Sequence, residues 1–442
     1  MKKQYILLCG ATAALLMAAC QGGKTATADA EAGDTLEMKY AKLLTIVKHG
    51  DGEETSNAAE GVDYQYAEAL IANPWKAGTM LHRYILIPKG EEGDKTVAML
   101  AKRRSTGARC TTDTVRTPVE RSAIFIAPHC QLMYELGCPQ AIRGVCDLDY
   151  INIPDVRKRA ALYGNTSAQN PIMNCGSSMA PDIERIIALK PEAILLSPFE
   201  NSGGYGKLDK LHIPIIEAAD YMESSPLGRA EWMKFYGMLF GEKVDDEKPS
   251  PSPAERERYV SCESRADSLF ARIEKEYLSL KAQAAGYPKG LSILTERKTG
   301  NVWYVPGGQS TIGILLKDAN ARYVFEDDSH SGSLAMSPEQ ILSKGKDIDV
   351  WAFKYFGGAP LTRAQLLQEY DGYKALHCFA NPQIYEVDTS TEPYFELTSF
   401  HPEILLREFI LLSHPADHAK FSKYAKDIRT LGALRFYHRQ LQ

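Results

Sequence analysis

Few residues in this chain have the type and spacing that catalysis needs. The string Gly308-Gln309-Ser310-Thr311-Ile312-Gly313 misses the second spacing of a G-x-S-x-G nucleophile elbow, and no H-E-x-x-H zinc motif occurs. Gly203-Gly204-Tyr205-Gly206-Lys207 has the glycine density of a phosphate loop. A P-loop would need glycine at Asn201 and Ser or Thr at Leu208, and a dinucleotide fingerprint would need its third glycine at Asp209. The nine cysteines include no C-x-x-C pair, and the ten histidines form no cluster. These gaps favour a binding protein over an enzyme.

Two carboxylates stand out by equivalence rather than by motif. PDIERIIALK leads into AILLSP, and SPEQILSKGK leads toward DVWAF. Glu184 and Glu339 each fall in the first turn of a helix, with apolar residues two and three later and a buried strand to follow. An early Glu suits the helix dipole, which accounts for either one alone. Their matching placement in two halves of the chain is what marks the pair.

The elements that position these residues begin after an export signal. MKKQYILLCGATAALLMAAC has two lysines, an apolar stretch too short for a membrane span, and small residues before a cysteine, the order of a secretory signal peptide over 1–19. Leu16-Met17-Ala18-Ala19-Cys20 resembles the lipobox of bacterial lipoproteins, which implies cleavage before Cys20 and lipidation of it; an ordinary secreted protein with an incidental Cys20 is the alternative. Residues 20–35 are small, polar and almost free of apolar bulk, and read as a tether from lipid to body. With 442 residues, 44% of them hydrophobic, the remainder is long enough for two or three domains with a sizeable core. The net charge of -5 gives no basic excess of the kind a nucleic-acid surface requires. Seven cysteines remain beyond Cys9 and Cys20, an odd number that leaves at least one free thiol unless chains are crosslinked.

Short apolar runs with turn residues between them (YAKLLTIV, YQYAEALI, LHRYILIP) predict a hairpin-rich extension over 36–119. Strands and helices alternate over 120–224 and again over 286–417, which predicts two α/β lobes with parallel or mixed sheets. Between them, over 225–285, PLGRAEWMKFYGMLFG predicts a helix of about four turns. After a break at DDEKPSPSP, a run of about 32 residues without Gly or Pro predicts a helix of roughly 48 Å, either packed on one lobe or linking both. A polar, basic tail occupies 418–442.

In its ordered set of passages, AIFIAPHCQLMYELGCPQAIRGVCD, PDIERIIALKPEAILLSP, LDKLHIPIIEA, a long helix, WYVPGGQS, SPEQILSKGKDIDVWAF and HPEILLREFILLSHP, the chain is similar over 121–415 to the Fe/B12-type periplasmic substrate-binding proteins of ABC importers. The resemblance implies two α/β lobes joined by a long rigid helix, with a siderophore, haem or corrinoid held in the cleft between them. It implies no cofactor of the protein's own, although the ligand carries iron or cobalt. Its partners would be an inner-membrane permease and, through the N-terminal lipid, the membrane, with the protein itself a monomer on the periplasmic side. By motif, the glutamates that meet permease arginines fall on Glu184 and Glu339. The extension over 36–119 exceeds what this family needs.

The cleft is then expected at the strand-end loops of each lobe. Those loops are aromatic: 199–205, Tyr221, Trp303-Tyr304, and Trp351 with Lys354-Tyr355-Phe356. Phe199, Tyr205, Tyr221, Trp303, Trp351 and Tyr355 are candidates to cover a bulky flat ligand at little rotamer cost, and Lys354 to pair with an anionic periphery. Core packing is the alternative for each ring, above all for Trp303 and Trp351, which fall within strands. His129, between a strand and a helix, is a candidate ligand for an exposed metal, with a hydrogen-bonded structural histidine as the alternative. Ser178 is a candidate donor to the ligand or a helix cap. Free metal-ion binding and a metal-cofactor enzyme on a related two-lobed scaffold are the competing functions. A long helix crossing between lobes resists hinging, so closure on binding should be limited. Solution scattering with and without ligand should show nearly the same radius of gyration; a change of several ångströms would contradict this.

Overall fold

The runs expected as hairpin strands build a sheet of their own. In the computed structural model, which describes residues 33–50, 64–103, 112–165, 167–200, 204–240, 261–381 and 383–440, the strands β1 (Asp34–Leu36), β2 (Leu44–His49), β3 (Tyr66–Ala72), β4 (Met80–Pro88) and β5 (Thr112–Thr117) lie side by side in chain order. The pairs are antiparallel until β4 and β5, which run parallel. A parallel pair needs a crossover. Here it carries the helix Glu91–Arg103, unexpected from the sequence, whose Val97, Met99 and Leu100 cover Tyr66, Ile85 and Ile87. The signal peptide, Cys20 and most of the tether lie outside the described residues.

The first lobe is a parallel sheet. Strands β6 (Ser122–Ile124), β7 (Ile142–Val145), β8 (Met173–Asn174), β11 (Ala193–Leu196) and β12 (Ile215–Glu217) stand in the order β12-β11-β6-β7-β8, with a small hairpin of β9 (Gly176–Ser177) and β10 (Ala180–Pro181) beyond β8. The chain direction across the sheet reverses between β6 and β11, where α/β sheets open a crevice at their carboxyl ends. In the second lobe β13 (Ile293–Leu294), β17 (Val350–Tyr355) and β18 (Ile384–Asp388) are parallel and β19 (His438–Arg439) closes the edge antiparallel. A separate antiparallel sheet holds β14 (Lys298–Thr299), β15 (Val302–Pro306) and β16 (Ser333–Met336).

Several expectations change in detail. The four-turn helix becomes two short ones, Pro226–Glu231 and Met233–Leu239, meeting at buried Trp232. The long helix as described runs Cys262–Ala285, 24 residues or about 36 Å, because Ser261 caps it by accepting the Ser264 N–H at 3.1 Å. The tail belongs to the second lobe: Phe421, Phe436 and Tyr437 are fully buried and β19 pairs with β18.

The long helix packs on Met233–Leu239 from one side and on the helix Pro402–Ser413 of the second lobe from another, so it links both. Gly237 lets the first pair approach, since a Cβ there would stand 2.9 Å from that of Ala266. Apolar side chains of the N-terminal sheet, both lobes and the helices between them form one continuous buried cluster, with a smaller one on the other side of the first lobe's sheet. Among the described residues no helix is long and apolar enough to cross a membrane.

Two buried carboxylates fasten the N-terminal sheet to this frame. Glu231 accepts the backbone N–H groups of Lys39, Tyr40 and Ala41 at 2.7 to 3.0 Å, and Glu223 accepts those of Lys42 and Leu43 at 2.9 and 2.8 Å and the Trp232 indole at 3.1 Å. Charge-assisted bonds of this kind offset the cost of burying each group. Glu231→Ala would strand three N–H groups and should lower stability by about 3 kcal/mol or more. Urea denaturation checks this, with exposed Glu92→Ala as a control; equal midpoints for the two variants would refute it.

Candidate ligand-binding site

The lobes touch at several points around their facing edges. Asn152, just past β7, donates through Nδ2 to Thr389 O at 2.8 Å and through its backbone N–H to Glu396 Oε1 at 2.7 Å. Thr311 Oγ1 donates to Glu223 O at 3.1 Å. His401 stands between Glu135 of the first lobe and Glu403, with each ring nitrogen 2.8 Å from a carboxylate oxygen. Burial alone would depress this histidine, but the bonds to Glu135 and Glu403 overcome it and hold the pKa at about 9. Tyr150 and Phe356, one ring from each lobe, stand with centroids 5.2 Å apart.

Near these contacts a cavity of about 410 Å³ opens in the second lobe, lined among others by Glu296, Arg297, Tyr304, Ser310, Thr311 and Ser333. Thr311 ties its wall to the first lobe. Exposed rings gather at the carboxyl ends of the strands: Tyr150 after β7 is 62% exposed, Phe199 after β11 52% and Phe356 after β17 56%, while Tyr304 on the outer side of β15 is 50% exposed. Tyr221 after β12 is partly exposed and donates its hydroxyl to Pro198 O, tying its loop to that of Phe199.

Of the residues expected in the cleft, the structure therefore leaves Phe199 and Tyr221 open at strand ends. Ser178 is half-buried at the tip of the β9–β10 hairpin, its N–H 3.2 Å from Asp147 Oδ1; the helix that follows is capped by Asp182 instead. Tyr205 is half-buried and spends its hydroxyl on Glu217. Glu184 and Glu339 are both exposed, and each is the second residue of its helix, Ile183–Leu189 and Pro338–Leu342.

Five expectations are corrected. His129 is buried, with Nε2 3.0 Å from Asp220 Oδ1 and its ring edge-on to Tyr236 and Phe400; Asp220 also accepts from Tyr236 and Arg229. That imidazole is structural and faces no cleft. Trp303 and Trp351 are fully buried, and both indoles donate to Glu296 O, at 2.8 and 2.9 Å. Lys354 is not offered to a ligand: it is ion-paired with Glu296 and lies over the Tyr394 ring. Tyr355 is buried, and burial first of all pushes its pKa up to about 12.

Strand alternation explains the displaced rings. Neighbouring residues in a strand face opposite sides, so Trp303 turns inward where Tyr304 turns out, and Tyr355 inward just before Phe356 leaves the strand. Tyr150, Tyr304 and Phe356 are exposed rings outside the candidate set. For the latter two the alternation within VWYVP and VWAFKYF is the signal that would have found them.

Residues 258–391, from the long helix through most of the second lobe, match the periplasmic binding protein family. Over that stretch the chain is similar to a periplasmic binding protein domain. Proteins with this domain are substrate-binding components rather than enzymes. The chain is also similar to two uncharacterized lipoproteins of Methanocaldococcus jannaschii, 23% identical over 56% of this chain and 54% of the relative, and 22% identical over 56% and 59%. It thus spans little more than half the length of these relatives. Among solved structures, an ABC-type Fe3+-hydroxamate transport protein of Saccharomonospora viridis superposes with a TM-score of 0.47 at 17% identity, covering 72% of this chain and 94% of that one. A periplasmic heme-binding protein of Pseudomonas aeruginosa gives 0.47 at 14%, covering 67% and 93%. Scores of this size fix neither ligand nor site.

The ion pairs of His401 between the lobes make stability pH-dependent. The pKa of His401 is raised from its ordinary 6.5, so its contribution is complete below about pH 6.5 and is lost as pH rises through about 9. The loss should reach about 3 kcal/mol. Denaturant midpoints of wild type and His401→Gln, compared from pH 6 to 10, should converge at high pH; a constant difference would refute the assignment.

Proposed function

We propose that this protein captures a metal chelate, an iron complex with a siderophore or haem or else a corrinoid, between its lobes and delivers it to an ABC permease in the membrane. The observation that supports the reading most is the placement of exposed rings. Tyr150, Phe199, Tyr221 and Phe356 stand open after strands of the two lobes, with the Tyr150 and Phe356 rings 5.2 Å apart, and Tyr304 lines the cavity. Flat rigid side chains cover a flat or bulky ligand with little entropy lost. The rings belong to both lobes, so one ligand would touch both. Free metal-ion capture would instead require three or four converging His, Cys, Asp or Glu side chains, and no such group occurs among the described residues.

Docking to the permease rests on Glu184 and Glu339. Each stands in the first turn of its helix; Glu339 is held below its ordinary value, first by a bond from its own backbone N–H. Two exposed carboxylates on a rigid body give a two-point contact for basic residues of a permease, useful for orientation and association rate more than for affinity. Lipidation of Cys20 would hold the protein at the membrane beside that permease.

Titration of the full-length protein with ferric protoporphyrin IX, ferric siderophores and cobalamin should show saturable one-to-one binding of at least one class, and Phe356→Ala should weaken it about tenfold. Binding of none would sink the proposal. The double variant Glu184→Ala with Glu339→Ala should lose uptake in a reconstituted permease while keeping ligand affinity. A matching loss of affinity would place these glutamates in the cleft instead.

A further inference from the structure

The tail that closes the second lobe is strongly basic. From residue 418 onward it carries Lys420, Lys423, Lys426, Arg429, Arg435 and Arg439 against the one side-chain carboxylate of Asp427, in a chain whose acidic residues outnumber the basic ones 56 to 51. Neither cargo capture nor docking through Glu184 and Glu339 uses these charges.

Local geometry puts four of them on one face. The 3-10 turn Ala419–Tyr424 runs directly into the α-helix Ala425–Arg429. Lys420, Lys423, Lys426 and Arg429 recur every third residue, and positions three apart are neighbours on a helical surface. Phe421 and Ile428 turn the other way and are fully buried, which fixes the run to the lobe, while all four cations are exposed. Lys420 donates to the carbonyl of Lys289 at 2.5 Å, a neutral acceptor, and among the described residues no carboxylate pairs with Lys420, Lys423, Lys426 or Arg429. The nearby acids are engaged elsewhere: Asp427 accepts the Tyr287 hydroxyl at 2.5 Å, and Glu326 pairs with Lys289 at 3.3 Å. Neighbouring like charges on a helical surface are unfavourable by themselves, so this face gains from an anionic partner.

The other end of the chain indicates which one. Lys39 and Tyr40 hold Glu274 within the long helix, and Asp427 holds Tyr287 just past its end. Those two points are about 20 Å apart along the helix. Cys20 precedes the described residues by a stretch that extends at most about 45 Å. A bilayer holding a lipid on Cys20 is therefore within reach of the basic face, and an acyl chain combined with a cluster of basic residues is a pairing that gives stable attachment.

We infer that the face of Lys420, Lys423, Lys426 and Arg429 rests on anionic phospholipid headgroups of the membrane that holds the N-terminal lipid, so that the second lobe lies against the bilayer instead of hanging free on a tether. The inference rests on the proposed lipidation of Cys20 and is independent of the cargo. Each cation beside an anionic bilayer changes partition about fivefold. The attraction fades beyond about 10 Å at 0.1 M salt, so the contact is sensitive to ionic strength. Headgroup phosphates accept from lysine and arginine alike, and no shaped pocket is required.

The full-length protein as processed in cells is mixed with vesicles of phosphatidylcholine, either alone or with about 30% phosphatidylglycerol, and its lysines are acetylated and read by mass spectrometry. At low salt Lys420, Lys423 and Lys426 should react at least about fivefold more slowly on the vesicles containing phosphatidylglycerol, and high salt should abolish the contrast. Lys95, 70% exposed on the helix Glu91–Arg103, should react alike on both. In the double variant Lys423→Glu with Lys426→Glu, Lys420 should lose its protection; both positions are exposed, so the variant should melt as wild type does. Equal reactivity on the two kinds of vesicle would overturn the inference. So would equal protection by inorganic phosphate, which would mean a site for free anions, or protection by soluble polyglutamate and not by vesicles, which would mean an acidic protein partner. Flotation with phosphatidylcholine vesicles at high salt reads the anchor alone: its absence would refute lipidation of Cys20, while the low-salt contrast still decides the basic face.

Discussion

Glu223 is the point on which the arrangement depends. Its carboxylate takes the backbone of residues 42 and 43 and the indole of Trp232, while its own carbonyl takes the hydroxyl of Thr311. The N-terminal sheet, the linking helices and the second lobe thus meet in one residue. Burial raises its pKa, and the bonds from Leu43, Trp232 and Lys42 hold that rise back. An acid is tolerated there because the chain around it supplies donors that would otherwise lack acceptors. Glu231, one short helix later, repeats the device on residues 39 to 41.

This explains what the extra N-terminal region does structurally. Beyond the two carboxylates, Lys48 pairs with Glu263 of the long helix at 2.8 Å, and His82 bridges Asp113 and Glu217 at 3.2 and 3.0 Å, joining the sheet to edge strand β12. Burial would lower the pKa of His82, and the two carboxylates raise it. The sheet therefore braces both the first lobe and the connection out of it. A long helix alone resists bending; a helix supported along its side by a sheet resists it more.

The two-lobed plan was legible because periodicity carries it. Strand and helix alternate on both sides of a run free of breakers, and the equivalent glutamates fall on the second residue of equivalent helices. The site was less legible. Which of two adjacent aromatics faces outward depends on strand register, and register is settled by partners far away in sequence: Trp303 and Trp351 turn inward because both indoles find the carbonyl of Glu296. His129 sits where a ligand-facing histidine would sit, but Asp220, 91 positions later, claims it. Lys354 is likewise claimed by Glu296. The tail reads as polar over most of its length, yet Phe421, Phe436 and Tyr437 suffice to dock it.

The main core, continuous across the sheets and the linking helices, bears on how the chain reaches its native state. Its closing contacts join distant segments: Glu135 to His401 spans 266 positions and Asn152 to Glu396 spans 244. Such contacts form only after large loops have closed, which makes folding slow. The long helix must likewise wait for the helix Pro402–Ser413, on which it rests and which follows it only after most of the second lobe. Until that helix is in place, the long helix lacks one of the two surfaces on which it packs.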